Sequence, residues 1–146
     1  VTDPVAIYHW RRLDDRITSS GQPTEAELID LQAIGVREII NLAPHDNARA
    51  LPDEAASVTR LGMGYTNIPV DFACPTEADF ERFCAVMQQL RPVPVHVHCA
   101  ANYRVSAFLY RYRREILGVS DAVARHDLDA IWQPDDVWSA FIDPIA

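Results

Sequence analysis

The sequence predicts an α/β fold built on a mainly parallel sheet. Short β-branched or apolar runs at 36–42, 65–70 and 94–98 alternate with longer stretches of helical periodicity. Helix-opening residues precede those stretches, and glycines close several of them. Such alternation makes parallel βαβ units, and right-handed crossovers put helices on both faces of the sheet. The 146 residues suit one domain, 1–146, and 49% are hydrophobic, enough for one core.

The elements follow in order. Residues 1–15 form an N-terminal arm, with Tyr8 and Trp10 expected to pack it onto the body. A short edge strand is predicted at 16–19, then a turn at Ser20-Gly21-Gln22-Pro23. Thr24 and Glu27 make a capping box for a helix over 24–34, whose stripe is Leu28, Leu31 and Ile34 and whose stop is Gly35. The strand at 36–42 leads into a long polar loop, 43–53, which either lines a site or is plain surface. A short helix at 54–61 precedes the strand at 65–70 and a loop at 71–75. Thr76 and Asp79 open a helix to Leu90 with Phe80, Phe83, Val86 and Met87 on one face. After the strand at 94–98 comes a helix over 104–117, with Val105, Phe108, Leu109, Tyr112 and Ile116 inward. Arg111, Arg113 and Arg114 are expected on its solvated flank. Residues 120–146 complete the fold with two helices. Ser120 caps the first, and Pro134 is placed in the first turn of the second.

Charge and composition narrow the function. A net charge of −8 with no basic block argues against nucleic acid or an anionic membrane as partner. No apolar run approaches the ~20 residues that span a bilayer. Cys74, Cys84 and Cys99 are too few and odd in number for a disulfide framework, and their spacing fits no zinc pattern. No metal or cofactor is therefore expected. A reactive cysteine is easiest to keep in the cytoplasm. The chain begins at Val1 and not Met, so a removed export signal would instead place it in the periplasm.

The chemistry concentrates in residues 95–106. Cys99 ends an apolar strand, and Arg104 opens an apolar helix after Ala100, Ala101, Asn102 and Tyr103. A strand, a tight loop and a helix N-terminus make an anion site, because loop N–H groups converge and the helix dipole adds partial positive charge. The same groups favour a thiolate. Cys99 is thus a candidate nucleophile inside a phosphate-sized cradle. Arg104 is the candidate clamp, since a guanidinium grips two oxygens in one plane. His98 precedes Cys99 on the strand, so the two side chains point to opposite faces. The bland alternative is an inert buried thiol, which leaves the polar Asn-Tyr-Arg break between apolar strand and apolar helix unexplained.

At these residues the chain resembles the cysteine-dependent protein tyrosine and dual-specificity phosphatase superfamily, its small bacterial members most of all. The family loop reads His-Cys-x5-Arg-Ser/Thr. His98, Cys99 and Ser106 match it, whereas Arg104 comes one position early and Val105 stands where the arginine is counted. Asn102 replaces the usual glycine, and Asn tolerates positive φ. The resemblance implies a four- or five-stranded, mainly parallel sheet sandwiched by helices. It implies a phosphate-monoester hydrolase working through a phosphocysteine. Asp71, in Ile68-Pro69-Val70-Asp71-Phe72, takes the place of the general acid. Ser106 takes that of the group that stabilises the sulfur, with a local backbone bond as the plain alternative. Asp46, Asp53 and Asp79 are lesser acid candidates. Ala100, Ala101, Asn102, Tyr103 and Arg104 would bind the phosphoryl group of a phosphorylated protein or small molecule. The early arginine is expected to slow turnover. Two other classes stay open: a phosphate-binding module without turnover, and a rhodanese-like sulfurtransferase, which also carries a cysteine in a short anion loop.

Overall fold

A computed structural model of the chain describes residues 2–143. Five strands, β1 (Arg11–Arg12), β2 (Ile17–Ser20), β3 (Glu38–Asn41), β4 (Gly64–Asn67) and β5 (Val95–His98), form one sheet in the order β1-β2-β5-β3-β4. Every pairing is parallel except β1 with β2. The strand expected at 16–19 is therefore not an edge. The arm contributes β1, which covers it, and all four residues of β2 are buried.

Period-two alternation divides β5 cleanly. Val95 and Val97 enter a large apolar core together with Ile17 and Ile40. That core is roofed by α3 (Glu77–Gln89), α4 (Tyr103–Glu115), α5 (Asp121–Asp129) and α6 (Asp136–Ile142). His96 and His98 face the other side, where α1 (Glu25–Ala33) and α2 (Glu54–Arg60) cover a smaller core of Leu28, Leu31, Ile39, Val58 and Met63. Helices on both faces are as the alternation requires. The capping box at Thr24 and the cap at Thr76 form as predicted, and Gly35 follows α1 at φ 97°. Residues 144–146 of the expected C-terminal helical segment lie outside the described residues.

Two helical expectations are corrected. Pro134 precedes the cap of α6, whose N-cap is Asp135 accepting from the Trp138 N–H. The arginines of α4 are not all solvated. Arg111 and Arg113 are buried, because α5 and α6 fold across α4 and leave it no wet flank. Each buried guanidinium is matched by carboxylates, as burial of charge demands. Arg111 donates to Glu115 at 2.8 Å and Glu77 at 3.0 Å and stacks on Phe80, 3.9 Å from the ring centre. Arg113 donates to Asp127 at 2.5 Å. Arg114 stays half-buried against Asp143 and Asp121.

Between β2, β5 and the arm lies a buried polar ladder. His96, fully buried, has its ring nitrogens 2.8 Å from Thr18 Oγ1 and 2.7 Å from Ser20 Oγ. The Ser20 hydroxyl spends its proton on the Gly21 carbonyl at 2.6 Å. His96 Nε2 must then donate to Ser20, and Thr18, whose other acceptor, the Val95 carbonyl, lies farther off at 3.4 Å, gives its proton to Nδ1 at 2.8 Å, which makes the ring neutral. Burial, with His98 and Arg12 nearby, holds its proton affinity well below the usual imidazole value of 6.5. The unfolded chain therefore takes up a proton near pH 6.5 that the folded chain refuses. Stability should fall as pH drops below that value, by up to about 1.4 kcal/mol per pH unit for this one group. Urea unfolding between pH 7.5 and 5 checks it, and His96→Gln should flatten the slope.

Candidate active site

The register of the central strands sets the site. His98 lies beside Ser20 of β2 and Asn41 of β3, so Cys99 leaves the sheet at its carboxyl edge, between two neighbours. Ligands bind at that edge in open α/β sheets. The loop is clasped from both sides. The Cys99 N–H donates to Ser20 at 3.4 Å, the Gln22 N–H to Ala100 at 3.1 Å, and the Leu42 N–H to His98 at 2.8 Å.

Asn102 turns the chain into α4 at φ 69°, the left-handed region in which Asn replaces glycine. As the N-cap it would ordinarily bond the first helical turn. Instead its Nδ2 donates to the His9 carbonyl at 2.8 Å and to Ser19 Oγ at 3.2 Å. The arm answers with His9 Nδ1, which donates to the Ala101 carbonyl at 2.7 Å. The expected role of Tyr8 and Trp10 in seating the arm holds, since Trp10 stacks on His96 and Tyr8 packs beside Gly21.

α4 is consequently uncapped, whereas α1, α2, α3, α5 and α6 each carry a side-chain cap. Among the described residues, the N–H groups of Ala100, Ala101, Asn102, Tyr103, Arg104 and Val105 find no protein acceptor. Six consecutive donors without partners are unusual in a folded chain, where nearly all such groups are satisfied by protein, water or ligand. They stand where the sequence predicts an anion cradle.

Arg104 lies in the first turn of α4, 8% exposed. Its Nη1 donates to the Val70 carbonyl at 3.0 Å, and its buried Nε has no partner. The guanidinium is thus tethered at one end, with the buried Nε unpartnered. A cation at a helix N-terminus opposes the dipole, so an anion beside it would relieve it. The tether also brings the Asp71 loop to the cradle. Asp71 is exposed and its Oδ1 accepts from the Ala73 N–H at 2.9 Å, closing a local turn. The next residue, Phe72, is held by Trp138, whose indole N–H donates to the Phe72 carbonyl at 2.8 Å. Phe72, Tyr103 and Trp132 make an aromatic rim, with Tyr103 and Trp132 stacked at 4.5 Å.

The other acid candidates have structural duties. Asp53 caps α2, and Asp79 sits in the first turn of α3 with its N–H on Thr76. Asp46 is exposed on the 43–53 loop. Ser106 is placed otherwise than its family role implies. Its hydroxyl donates to the Tyr103 carbonyl at 3.0 Å and accepts from the Trp132 indole at 3.0 Å. The single hydroxyl proton therefore serves the first helical turn and not the sulfur, and Ser106 supports the rim residue Trp132. Cys99 is 1% exposed, with its side chain among the large core. Its neighbour His98 faces α2, as alternation requires, and meets Glu54 at 2.5 Å. Glu54, Gln22, His9 and Trp132 were not legible as site residues. Each reaches the loop by a contact across long sequence separation, and Glu54 reads in sequence as an ordinary acidic residue opening a helix.

Comparison with known proteins adds a lineage. The model of the family described as DSP-PTPase phosphatase fused to NAD+ kinase matches residues 9–134. A candidate phosphatase of the DUF442 group from Shewanella putrefaciens CN-32 superposes with TM-score 0.86 at 34% identity, covering 97% of this chain and 93% of that one. Pseudomonas aeruginosa TpbA, solved with phosphotyrosine, superposes with TM-score 0.76 at 19% identity, covering 97% and 86%, a likeness of fold. A beta-lactamase hydrolase-like protein of Agrobacterium fabrum is 34% identical over 96 residues, which are 64% of this chain. The match spans only 22% of that relative's length.

Gly21 is where the turn after β2 meets the loop. A methyl there would lie 2.6 Å from Tyr8 Cδ2 and 2.7 Å from the Ala100 carbonyl oxygen. Backbone cannot yield as a side chain can, so Gly21→Ala should cost about 1–3 kcal/mol in urea unfolding. It should also weaken oxyanion binding measured by titration calorimetry, because the displaced partner is the cradle itself.

Proposed function

The chain belongs to the DSP-PTPase phosphatase family, and from that premise we propose that it hydrolyses phosphate monoesters through a phosphocysteine on Cys99. The observation that carries this reading is the run of six unpartnered N–H groups from Ala100 to Val105, beside an Arg104 whose buried Nε is also unpartnered. An oxyanion is the ligand that satisfies such a set at once.

In the proposed reaction, the Cys99 thiolate attacks phosphorus in line with the leaving oxygen. The sulfur–phosphorus bond forms as the phosphorus–oxygen bond breaks, and Asp71 gives its proton to the departing oxygen. Arg104 and the loop amides hold the equatorial oxygens, more tightly as charge shifts onto them. Water then attacks the phosphocysteine and loses a proton to Asp71, and Cys99 leaves as thiolate with inorganic phosphate. Arg104 comes one position early in the loop, yet its bond to Val70 aims it between the cradle and the acid loop. That supports a working clamp, with its cost expected in rate more than in binding, since a displacement of ~1 Å can slow a reaction about a hundredfold. The substrate is a phosphorylated protein or small molecule. The aromatic rim favours a planar group beside the phosphate.

The early arginine also favours a second reading, a module that binds phosphate groups without cleaving them. Paired measurements on one preparation separate the two: calorimetry with vanadate and turnover of aryl phosphates. Hydrolysis abolished by Cys99→Ser, with oxyanion binding kept, is the expected result. Tight binding with no turnover would leave the binding module. Arg104→Lys should lose most of the rate, and Arg104→Ala should lose oxyanion affinity too, by about 1.5–3 kcal/mol. Asp71→Asn should slow esters with poor leaving groups by 10²–10⁴-fold and spare good ones. Equal loss across leaving groups would make Asp71 a turn residue only. Turnover of thiosulfate with cyanide in place of phosphate esters would give the site to sulfur transfer.

A further inference from the structure

Among the described residues, two that are not glycine have a positive φ, His9 at 53° and Asn102 at 69°, and they are bonded to each other. His9 belongs to the N-terminal arm and Asn102 to the Cys99 loop. A turn sets the backbone of His9, closed by the Trp10 N–H on the Ile7 carbonyl at 3.0 Å. The turn is anchored on both sides, by Ile7 in the small core and by Trp10 stacked on His96. Asn and His are among the residues that tolerate positive φ, and such a backbone persists where its surroundings over-determine it. Here the surroundings are each other. His9 Nδ1 lies 2.7 Å from the Ala101 carbonyl oxygen, and a carbonyl only accepts, so the ring donates. The His9 carbonyl accepts from Asn102 Nδ2 at 2.8 Å.

Each bond decides where donors point. The Ala101 carbonyl and the Asn102 N–H belong to one peptide, and in a trans peptide the two point in opposite directions. Drawing the carbonyl toward the arm therefore turns the N–H away from the arm, and that N–H has no protein acceptor. His9 is the one donor on that carbonyl among the described residues. The second bond acts on α4. An Asn at an N-cap ordinarily offers its side-chain oxygen to the second or third N–H of the helix, here those of Arg104 and Val105. The bonds from Nδ2 to His9 and Ser19 hold the amide the other way, and Asn102 Oδ1 is buried without a partner. The oxygen that would cap the helix is thus kept from it.

We propose that His9 is a positioning residue for oxyanion binding: its ring and its carbonyl together keep the N–H groups of Asn102, Arg104 and Val105 open to an anion. The consequence for turnover rests on the phosphatase reading, whereas the consequence for binding does not. Without the ring, the Ala101–Asn102 peptide is free to turn, and a carbonyl oxygen facing the site repels the anion that the N–H attracts. The peptide before it is held independently, by the Gln22 N–H on the Ala100 carbonyl at 3.1 Å, so His9 governs a peptide that nothing else fixes.

Two substitutions separate the donor from the turn. His9→Gly keeps the positive φ and removes the donor, whereas His9→Asn keeps the positive φ and sets an amide N–H near the place of Nδ1. In titration calorimetry, vanadate should bind His9→Gly about ten- to a hundredfold more weakly than the wild type, the worth of one charge-assisted hydrogen bond. His9→Asn should recover most of the loss. Amide spectra supply a readout that a mere fall in stability would not move. Vanadate should shift the Asn102 N–H in the wild type and in His9→Asn, but not in His9→Gly. Equal affinity in the wild type and His9→Gly overturns the proposal. So does a His9→Asn as weak as His9→Gly, which would give the effect to the packing of the ring on Tyr8. The wild type alone is a second test that needs no variant to fold: nitrogen-15 spectra must show the His9 ring protonated at Nδ1, and a single proton on Nε2 overturns the proposal. Vanadate binding by a wild type that turns over no aryl phosphate defeats the phosphatase reading and leaves this one standing. A wild type that binds no vanadate defeats both.

Discussion

The rest of the structure is arranged around a row of backbone donors left without acceptors. Folding normally pairs such groups, and leaving six together is tolerable only where water or an anion can reach them. It also demands a rigid frame, because a free loop would turn its amides inward and satisfy them locally. The parallel bonds from Ser20 and Leu42 fix the start of the loop. Asn102 fixes its end, with a left-handed backbone and a side chain given to the arm. A helix cap at that position would consume the donors that the site needs. The absence of a cap on α4 and the presence of one on each of the other described helices thus have a common explanation.

The layers around the loop divide the work by chemistry. On the large-core side, Cys99 and α4 are surrounded by apolar side chains, and α3, α5 and α6 hold the helix in place. The buried arginines Arg111 and Arg113 belong to this scaffold. Their carboxylate partners come from α3, α4 and α5, so they tie together helices that the sheet alone would not align. On the other side, the histidines of β5 place polar groups directly beneath the cradle. His96 is kept neutral by burial and by hydroxyl partners, and His98 is paired with a carboxylate. Two positions on the same face of one strand therefore bury an imidazole against different partners, hydroxyls at one and a carboxylate at the other. The difference lies in what each ring touches.

The Asp71 loop is joined to the Cys99 loop through Arg104. Its guanidinium reaches the Val70 carbonyl, and the Trp138 indole reaches the Phe72 carbonyl, so Asp71 is bracketed by two fixed neighbours. The Tyr103–Trp132 stack and Phe72 complete the wall. The C-terminal helices thereby take part in the site. Trp132 follows α5 and Trp138 lies in α6, and their indole N–H groups hold Ser106 and the Asp71 loop respectively.

Along the chain alone, the legible features are local. Capping at Thr24 and Thr76, the strand 95–98, and the thiol and guanidinium flanking a helix start follow from neighbours a few residues apart, and they sufficed for the fold class and the loop. The family likeness located Asp71. Tertiary structure decided everything that depends on contacts across long separations. Arg111 and Arg113 read as solvated because a helix pattern cannot show that two later helices will cross it. Strand 17–20 read as an edge because an antiparallel two-residue partner carries almost no pattern of its own. Ser106 matched a motif, yet its hydroxyl was taken by Trp132 and Tyr103. Glu54 gave no sign at all, since a carboxylate opening a short helix is ordinary until the sheet brings a buried histidine within 2.5 Å of it. Spacing along the chain records which groups can share a turn, whereas burial and pairing are properties of the packed whole.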